Sequence, residues 1–137
     1  MEPPSLREKI QPGVRLFNRA QFFEAHEALE DVWRCLPCDQ PSRRHVQGLV
    51  QLAVAFHHDS TGNRIGARSV LERGLRNLGG ADSTFPELDL CGLRADIEPW
   101  RRYYEEGALR MSTSERLLQV PPTLPKIMGR KKTLPRR

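Results

Sequence analysis

A stretch near the start of the chain combines residue types that serve in metal sites and in general acid–base catalysis. His26, Glu27 and Glu30 lie within the pentapeptide His-Glu-Ala-Leu-Glu. If this stretch is helical, His26 and Glu30 share one face, because residues four apart lie one turn above each other. The order is that of a His-Glu-x-x-His motif, in which two histidines bind zinc and the glutamate activates water, except that the last residue is a glutamate. A divalent cation at His26 and Glu30 would need a third ligand, for which His58 is the candidate.

The same residues have an alternative role in holding two helices together. Gln47, Gln51 and His58 recur on one side of an otherwise apolar segment. An unpaired polar group buried there costs about 1–3 kcal/mol, so these side chains are expected to pair with His26 and Glu30 on a neighbouring helix. Three interpretations stay open: a structural hydrogen-bond network, a pocket for a small molecule or peptide, and a metal or hydrolytic site. The candidate cluster consists of His26, Glu27, Glu30, Trp33, Gln47, Gln51 and His58.

Apolar residues recur at helical spacing in five segments, and no strand-like alternation of useful length occurs. The second segment places Leu29 and Trp33 on its apolar face, where a buried indole needs an acceptor for its N–H. The third segment is apolar almost all round, which is typical of a central, buried helix. These features predict an all-α fold, a compact antiparallel bundle of about five helices with a basic, flexible C-terminal tail. The predicted helices cover residues 5–18, 21–36, 42–59, 63–78 and 92–108.

Glycine and proline positions predict where the helices end and how closely they pack. A turn that includes Gly62 is predicted between the third and fourth helices, and either Thr61 or Asn63 is expected to cap the fourth. Gly66 and Gly74 inside the fourth helix indicate close approach of a neighbouring helix, since each glycine otherwise costs about 1 kcal/mol against alanine. Pro12 is expected to interrupt the first helix, because proline lacks the backbone N–H that the helix needs.

Two stretches of the chain carry a long motif with fixed spacing. They run from Leu16 to Arg34 (LFNRAQFFEAHEALEDVWR) and from Val46 to His58 (VQGLVQLAVAFHH), and are followed by Gly62-Asn63 and Gly66-Ala67. This pattern resembles that of DUF309, a small all-helical domain of unknown function, over about residues 14–78. The resemblance implies the helical fold and no activity, because none is established for the family. Ala20 departs from the pattern, which often has glycine in that connection.

Basic charge is concentrated at the C-terminal end. After Glu115 the chain has seven basic residues and no acidic one, whereas residues 1–115 carry 15 basic and 17 acidic side chains. Such a tail either contacts RNA, DNA or an acidic partner, or keeps the end of the chain solvated. It has no aromatic residue on which a base could stack. The cations proposed for nucleic-acid contact are Lys126, Arg130, Lys131, Lys132, Arg136 and Arg137.

Several classes of protein are disfavoured by composition. No apolar run approaches the roughly 20 residues that a membrane-spanning helix needs, and the first residues lack a secretory signal, so a cytoplasmic protein without membrane contact is expected. Three cysteines, an odd number, argue against a disulfide framework. Cys35 and Cys38 fall at the C-terminal end of a predicted helix, where the helix dipole disfavours a thiolate. We therefore interpret this pair as incidental.

Together these patterns predict one helical domain over residues 1–118 and a proline-rich basic tail over residues 119–137. The favoured function is a non-catalytic helical module that binds a protein or a small molecule, with a homodimer as a further possibility. A metal-dependent hydrolase and a nucleic-acid-associated protein are the alternatives. No cofactor is predicted, a divalent metal is kept only as a candidate, and whether the chain is an enzyme stays open.

Overall fold

A computed structural model of the chain describes residues 2–109 and 119–130. Within these residues it is helical without strands, as the sequence predicted. Five α-helices and one short 3-10 turn follow each other in the described part of the chain. They are α1 (Leu6–Asn18), α2 (Phe22–Arg34), α3 (Pro41–Ser60), α4 (Arg64–Asn77), the 3-10 turn (Ala81–Ser83) and α5 (Leu90–Leu109). No helix among the described residues is both long and apolar enough to cross a membrane.

Each of the first four helices packs on the next, and α3 lies in the middle, between α2 and α4. Phe56 on α3 contacts the rings of Phe17, Phe22 and Trp100, so its side chain joins α1, α2 and α5 in one aromatic core. Burying such rings contributes about 1.5–3 kcal/mol each and dominates the stability of the bundle. The prediction of a central third helix is confirmed.

The helix α1 runs unbroken through Pro12, so the predicted interruption is wrong. Proline at this position removes the hydrogen bond to the carbonyl of Glu8, one turn earlier. Both residues are exposed, so the bond is lost on the solvent side of α1 and not in the core. The next residue, Gly13, allows α2 to approach closely, because a Cβ there would lie 2.6 Å from Cγ of Leu29.

Two of the turns between helices are closed by the same pair of backbone hydrogen bonds. After α3, the N–H of Asn63 binds the carbonyl of His58, and the N–H of Gly62 binds that of Asp59. This is a Schellman motif, in which the residue after the C-cap takes a left-handed conformation, here Gly62 with φ +84°. The turn after α1 has the same bonds, but Ala20 takes the left-handed position with φ +61°.

The helices α3 and α4 approach most closely where two glycines face each other. A Cβ on Gly48 would lie 3.0 Å from the carbonyl oxygen of Gly74 and 2.8 Å from Cγ of Leu78. A Cβ on Gly74 would in turn lie 3.1 Å from the carbonyl oxygen of Gly48. The close approach predicted at Gly74 is confirmed. Gly66 serves a different purpose, because a Cβ there would lie 2.5 Å from Nδ2 of Asn63, which caps α4.

Residues 119–130, here called the C-terminal strap, lie against α1, α5 and the segment before α5. Ile127 is buried among the helices, and Leu88 pairs with Gly129 in an isolated antiparallel bridge. This part of the predicted flexible tail is therefore held on the bundle by backbone hydrogen bonds. The rest of the predicted tail, residues 131–137, lies outside the described residues, as do Leu117 and Leu118.

Candidate functional site

The side chains of α2 that could bind a metal ion or transfer a proton form a row along one side of that helix. His26 Nε2 lies 2.7 Å from Oε2 of Glu30, one turn further on. Arg34 Nη2 donates a 2.6 Å hydrogen bond to the other oxygen of Glu30, again one turn away. Arg34 also lies 3.8 Å from Asp31. His26 and Glu30 share one face of α2, as predicted, and both oxygens of Glu30 are occupied by groups of its own helix.

The single cluster predicted across α2 and α3 is divided in the structure. Gln51 accepts a 2.6 Å hydrogen bond from Asn77 of α4, and Asn63 lies 3.5 Å from Nδ1 of His58 in the α3–α4 turn. Gln47 is half-buried on α3. Among the described residues, no hydrogen bond joins His26 or Glu30 to Gln47, Gln51 or His58. The physical reason is that i,i+4 neighbours on the same helix already satisfy Glu30, while Gln51 and His58 point to α4 and its turn.

Trp33 is half-buried on α2 rather than fully enclosed. The guanidinium of Arg43, at the start of α3, lies 4.0 Å from the centre of the Trp33 ring, in cation–π contact. The indole Nε1 of Trp33 and Nε of Arg43 are both sealed from solvent and have no hydrogen-bond partner in the part of the chain that is described. The acceptor expected for the indole N–H is therefore not found among the described residues, since a guanidinium above the ring face cannot accept a hydrogen bond.

An exposed aromatic side chain lies beside the row on α2. Phe23 is 47% exposed and packs between two imidazole rings, with ring centres 5.8 Å from His26 and 5.3 Å from His57 of α3. A shallow cavity of about 200 Å³ opens next to it. Its lining residues, here called the α2 surface, are Phe23, His26, Glu27, Glu30, Asp31 and Arg34.

The proposed metal ligands lie in two separate places. His26 and Glu30 contact each other on α2, whereas His58 is in the turn after α3, beside Asn63. Within residues 2–109 and 119–130, no group of three or more His, Cys, Asp or Glu side chains is placed to share one metal ion. All three cysteines, including Cys35 and Cys38, are exposed, unbridged thiols.

The basic residues proposed for nucleic-acid contact are only partly described. Lys126 and Arg130 are exposed on the strap. Lys131, Lys132, Arg136 and Arg137 lie outside the described residues, and the proposed contact stays a prediction.

Sequence reasoning missed a buried histidine at the start of α3. His45 is 2% exposed, with Nδ1 2.6 Å from Oγ1 of Thr84 and Nε2 3.2 Å from the carbonyl oxygen of Gly79. Burial, and secondly the charge of Arg44, lower its pKa from the ordinary value, while the hydrogen bond to Gly79 acts in the opposite direction. The signal that could have found it is its spacing, since His45 shares a helical face with Leu49.

The first part of the helical bundle matches a known family. Residues 10–70 match the family model described as a domain of unknown function, DUF309. The chain carries a DUF309 domain. This confirms the resemblance found in the sequence, and the matched range includes α2, α3 and the α2 surface.

Two relatives share similarity over about two thirds of this chain. An uncharacterized protein of Aquifex aeolicus (strain VF5) is 28% identical over 91 residues, which is 66% of this chain and 27% of that protein. The uncharacterized protein YpuF of Bacillus subtilis (strain 168) is 33% identical over 93 residues, which is 68% of this chain and 52% of YpuF. This chain therefore corresponds to about half or less of the length of these relatives.

Within the DUF309 domain, the motif residues fall into two groups by their contacts. Gly62, Asn63 and Gly66 have a structural role, because they close and cap the turn between α3 and α4. His26 and Glu30 are partly exposed and bind only neighbours on their own helix. Their side chains therefore add little to the packing of the bundle and are available at its surface.

Proposed function

We propose that the DUF309 domain is a non-catalytic interaction module that binds a protein partner through the α2 surface. The observation that carries this proposal is the half-exposed ring of Phe23, held between His26 and His57 and bordered by charged side chains. An aromatic anchor surrounded by a polar rim is the usual arrangement at the centre of a protein interface.

The shape of the site favours a protein over a small molecule. Its cavity of about 200 Å³ is shallow, and it lies below the range of about 300–1,000 Å³ that is typical of small-molecule pockets. An edge-on contact with His26 and a tilted contact with His57 restrict the Phe23 ring before a partner arrives, so little side-chain entropy is lost on binding. A partner that covers this ring gains most of its affinity from burying it.

The rim defines the chemistry of the partner. It contains three carboxylates, those of Glu27, Glu30 and Asp31, against one guanidinium, that of Arg34. Glu30 is already paired with His26 and Arg34, and Asp31 makes one longer contact of 3.8 Å with Arg34. The exposed carboxylates of Glu27 and Asp31 are therefore those that face a partner. We expect the partner to present an apolar side chain to Phe23 and basic groups at the rim.

Photo-crosslinking followed by affinity measurement tests this function. A photoreactive phenylalanine analogue at position 23 should capture a defined partner, whereas the same analogue at Ile65, which is 87% exposed on α4, should not. With that partner purified, Phe23→Ala should weaken binding at least about tenfold, and the matched change Ile65→Ala should leave it unchanged. Equal capture at both positions, or unchanged affinity of Phe23→Ala, would contradict the proposal.

The charge of the rim supplies an independent readout. Glu27→Lys should slow association with the purified partner and remove most of its salt dependence, because rim charges act mainly on the association rate. Glu106→Lys, a similar reversal at an exposed position of α5, is the control. A partner that binds both variants with the same association rate would not be recognised through this rim.

A further inference from the structure

The C-terminal strap is bound to the helices in the way that a domain binds a peptide. Burial alternates along it: Pro125 and Ile127 are buried, whereas Leu124, Lys126 and Met128 are exposed. Alternation with a period of two is the mark of an extended chain with one face in a groove. Ile127 inserts most deeply and is 3% exposed.

Side chains of the groove form hydrogen bonds with the backbone of the strap. The side chain of Asn18, the last residue of α1, donates to the carbonyl oxygen of Ile127 at 2.9 Å and accepts from its N–H at 2.7 Å. The indole of Trp100 on α5 donates to the carbonyl oxygen of Thr123 at 3.0 Å. Both side chains are supplied by packed helices, so the geometry of the site is fixed by the bundle.

The segment before α5 adds a short strand-like edge. The N–H of Asp89 donates to the carbonyl oxygen of Met128 at 2.9 Å, and the N–H of Arg130 donates to that of Glu87 at 2.6 Å. Backbone bonds from an edge, combined with pockets for alternate side chains, constitute the β-augmentation mode of peptide recognition. The strap therefore occupies the groove as a ligand does.

The attachment of the strap to the groove is limited. A cavity of about 240 Å³ is lined on one side by α5 around Pro99 and on the other by residues 122–124 of the strap. Val120, Leu124 and Met128 of the strap are three of the five large apolar side chains that are exposed among the described residues. Such a segment can leave the helices while the aromatic core stays intact, because Ile127 is the one strap residue in the hydrophobic core of the described residues.

We propose that this groove is a docking site for an extended Pro-x-Ile segment, filled here by the chain's own strap and filled in exchange by the strap of a second copy. The recognition elements are Asn18, Trp100 and the edge of residues 87–89. They include none of the residues of the α2 surface, so this site and the proposed function can succeed or fail separately.

A complementation experiment with two full-length variants tests the exchange. Ile127→Arg prevents the strap from binding and leaves the groove unchanged. Asn18→Ala lowers the affinity of the groove and leaves the strap unchanged. Mixed together, they should form a 1:1 heterodimer in native mass spectrometry, because one chain supplies the strap and the other supplies the groove. The matched control is the double variant Asn18→Ala/Ile127→Arg, which should not pair with Ile127→Arg. Absence of the heterodimer, with both variants folded by circular dichroism, would overturn the exchange.

A labelled peptide with the sequence of residues 119–130 tests the groove itself. It should bind Ile127→Arg at least about tenfold more tightly than it binds the unaltered chain, whose own strap competes at an effective concentration on the order of millimolar. The same peptide with arginine at the isoleucine position should not bind. If neither peptide binds a folded Ile127→Arg chain, the groove is not a peptide site.

If Ile127→Arg fails to fold, hydrogen exchange on the unaltered chain tests whether the strap detaches while the bundle stays folded. The amides of Ile127, Arg130 and Asp89 are protected by strap contacts. They should exchange at least about a hundredfold faster than the core amide of Leu52 on α3, and Asn18→Ala should accelerate them further. Exchange of both groups at the same rate would mean that the strap opens only when the whole bundle unfolds, which would overturn the proposal.

Discussion

The imidazole of His45 is bound to Oγ1 of Thr84, 39 residues later, at 2.6 Å. Its other nitrogen lies 3.2 Å from the carbonyl oxygen of Gly79, which can only accept a hydrogen bond. Nη2 of Arg44, which can only donate, lies further from Nε2, at 3.4 Å. The shorter contact to the carbonyl favours the proton on Nε2, and in that tautomer Nδ1 accepts from the threonine hydroxyl. The neutral ring satisfies both contacts, and in this way α3 is tied to the loop that follows α4.

The buried His45 predicts that the chain loses stability in mild acid. The unfolded state takes up a proton near pH 6.5, whereas burial lowers the pKa of the folded state below that value. Stability from this group is thus fully present above about pH 6.5 and is lost as the pH falls towards the folded pKa, by at most about 1.4 kcal/mol per pH unit. Urea unfolding of the unaltered chain at pH 7.5 and pH 5.5 measures the loss.

The control for this pH dependence is His45→Gln. Glutamine does not titrate, so the difference in unfolding free energy between the two pH values should shrink, even though the variant is less stable at pH 7.5. His26→Gln removes a partly exposed imidazole and serves as the matched variant. An equal decrease of the pH effect in both variants would assign it to histidines in general and not to the buried ring.

The turn after α1 predicts a stabilising substitution, Ala20→Gly. Ala20 holds φ at +61°, a conformation that costs a residue with a side chain about 1–2 kcal/mol. Glycine removes this strain but adds freedom to the unfolded chain, so we expect a net gain of roughly 0.5–1 kcal/mol. Gly62→Ala is the mirror-image control, because nothing lies within 4 Å of a Cβ at that turn and only the backbone is affected. Urea unfolding should give opposite signs for the two variants.

The helices of the bundle could be predicted because the spacing of apolar residues within each helix indicates its buried face. Spacings such as that of Leu29 and Trp33 on α2 mark the buried face wherever the helix finally packs. Turn chemistry is equally local, which is why the roles of Gly62 and Asn63 were visible. A helical wheel defines a face and leaves the partner of each side chain undefined. The expected network across α2 and α3 failed for this reason, since Glu30 found both partners on its own helix.

The binding of the strap to the helices could not be predicted from the sequence, for a different physical reason. Its prolines interrupt any periodic pattern, so nothing local indicates that Ile127 is buried. The side chain that holds it, Asn18, is 109 residues away along the chain. Contacts of this kind follow from the arrangement of α1 and α5, which the spacing of residues within one helix does not determine.

The crossing of α3 and α4 predicts that Gly48 tolerates no side chain. A methyl group there would lie 3.0 Å from the backbone oxygen of Gly74, which moves only if α4 moves. We expect Gly48→Ala to lower the free energy of unfolding by about 1–3 kcal/mol, as overpacking does, in spite of alanine's better helix propensity. A urea titration measures this, and Ser69→Ala, at an exposed position of α4, is the control. A gain in stability of Gly48→Ala would mean that the helices are further apart than described.

The row on α2 predicts that its polar residues contribute to function rather than to folding. His26 and Glu30 are only partly covered, and ion pairs of this kind are worth about 0–1 kcal/mol. His26→Ala and Glu30→Gln should therefore lower the free energy of unfolding by less than about 1 kcal/mol each. Leu29→Ala, on the same helix but fully buried, should cost about 2–5 kcal/mol. If His26→Ala lowers the free energy of unfolding as much as Leu29→Ala does, the row belongs to the core of the fold. The proposal that the α2 surface is the binding site would then be wrong.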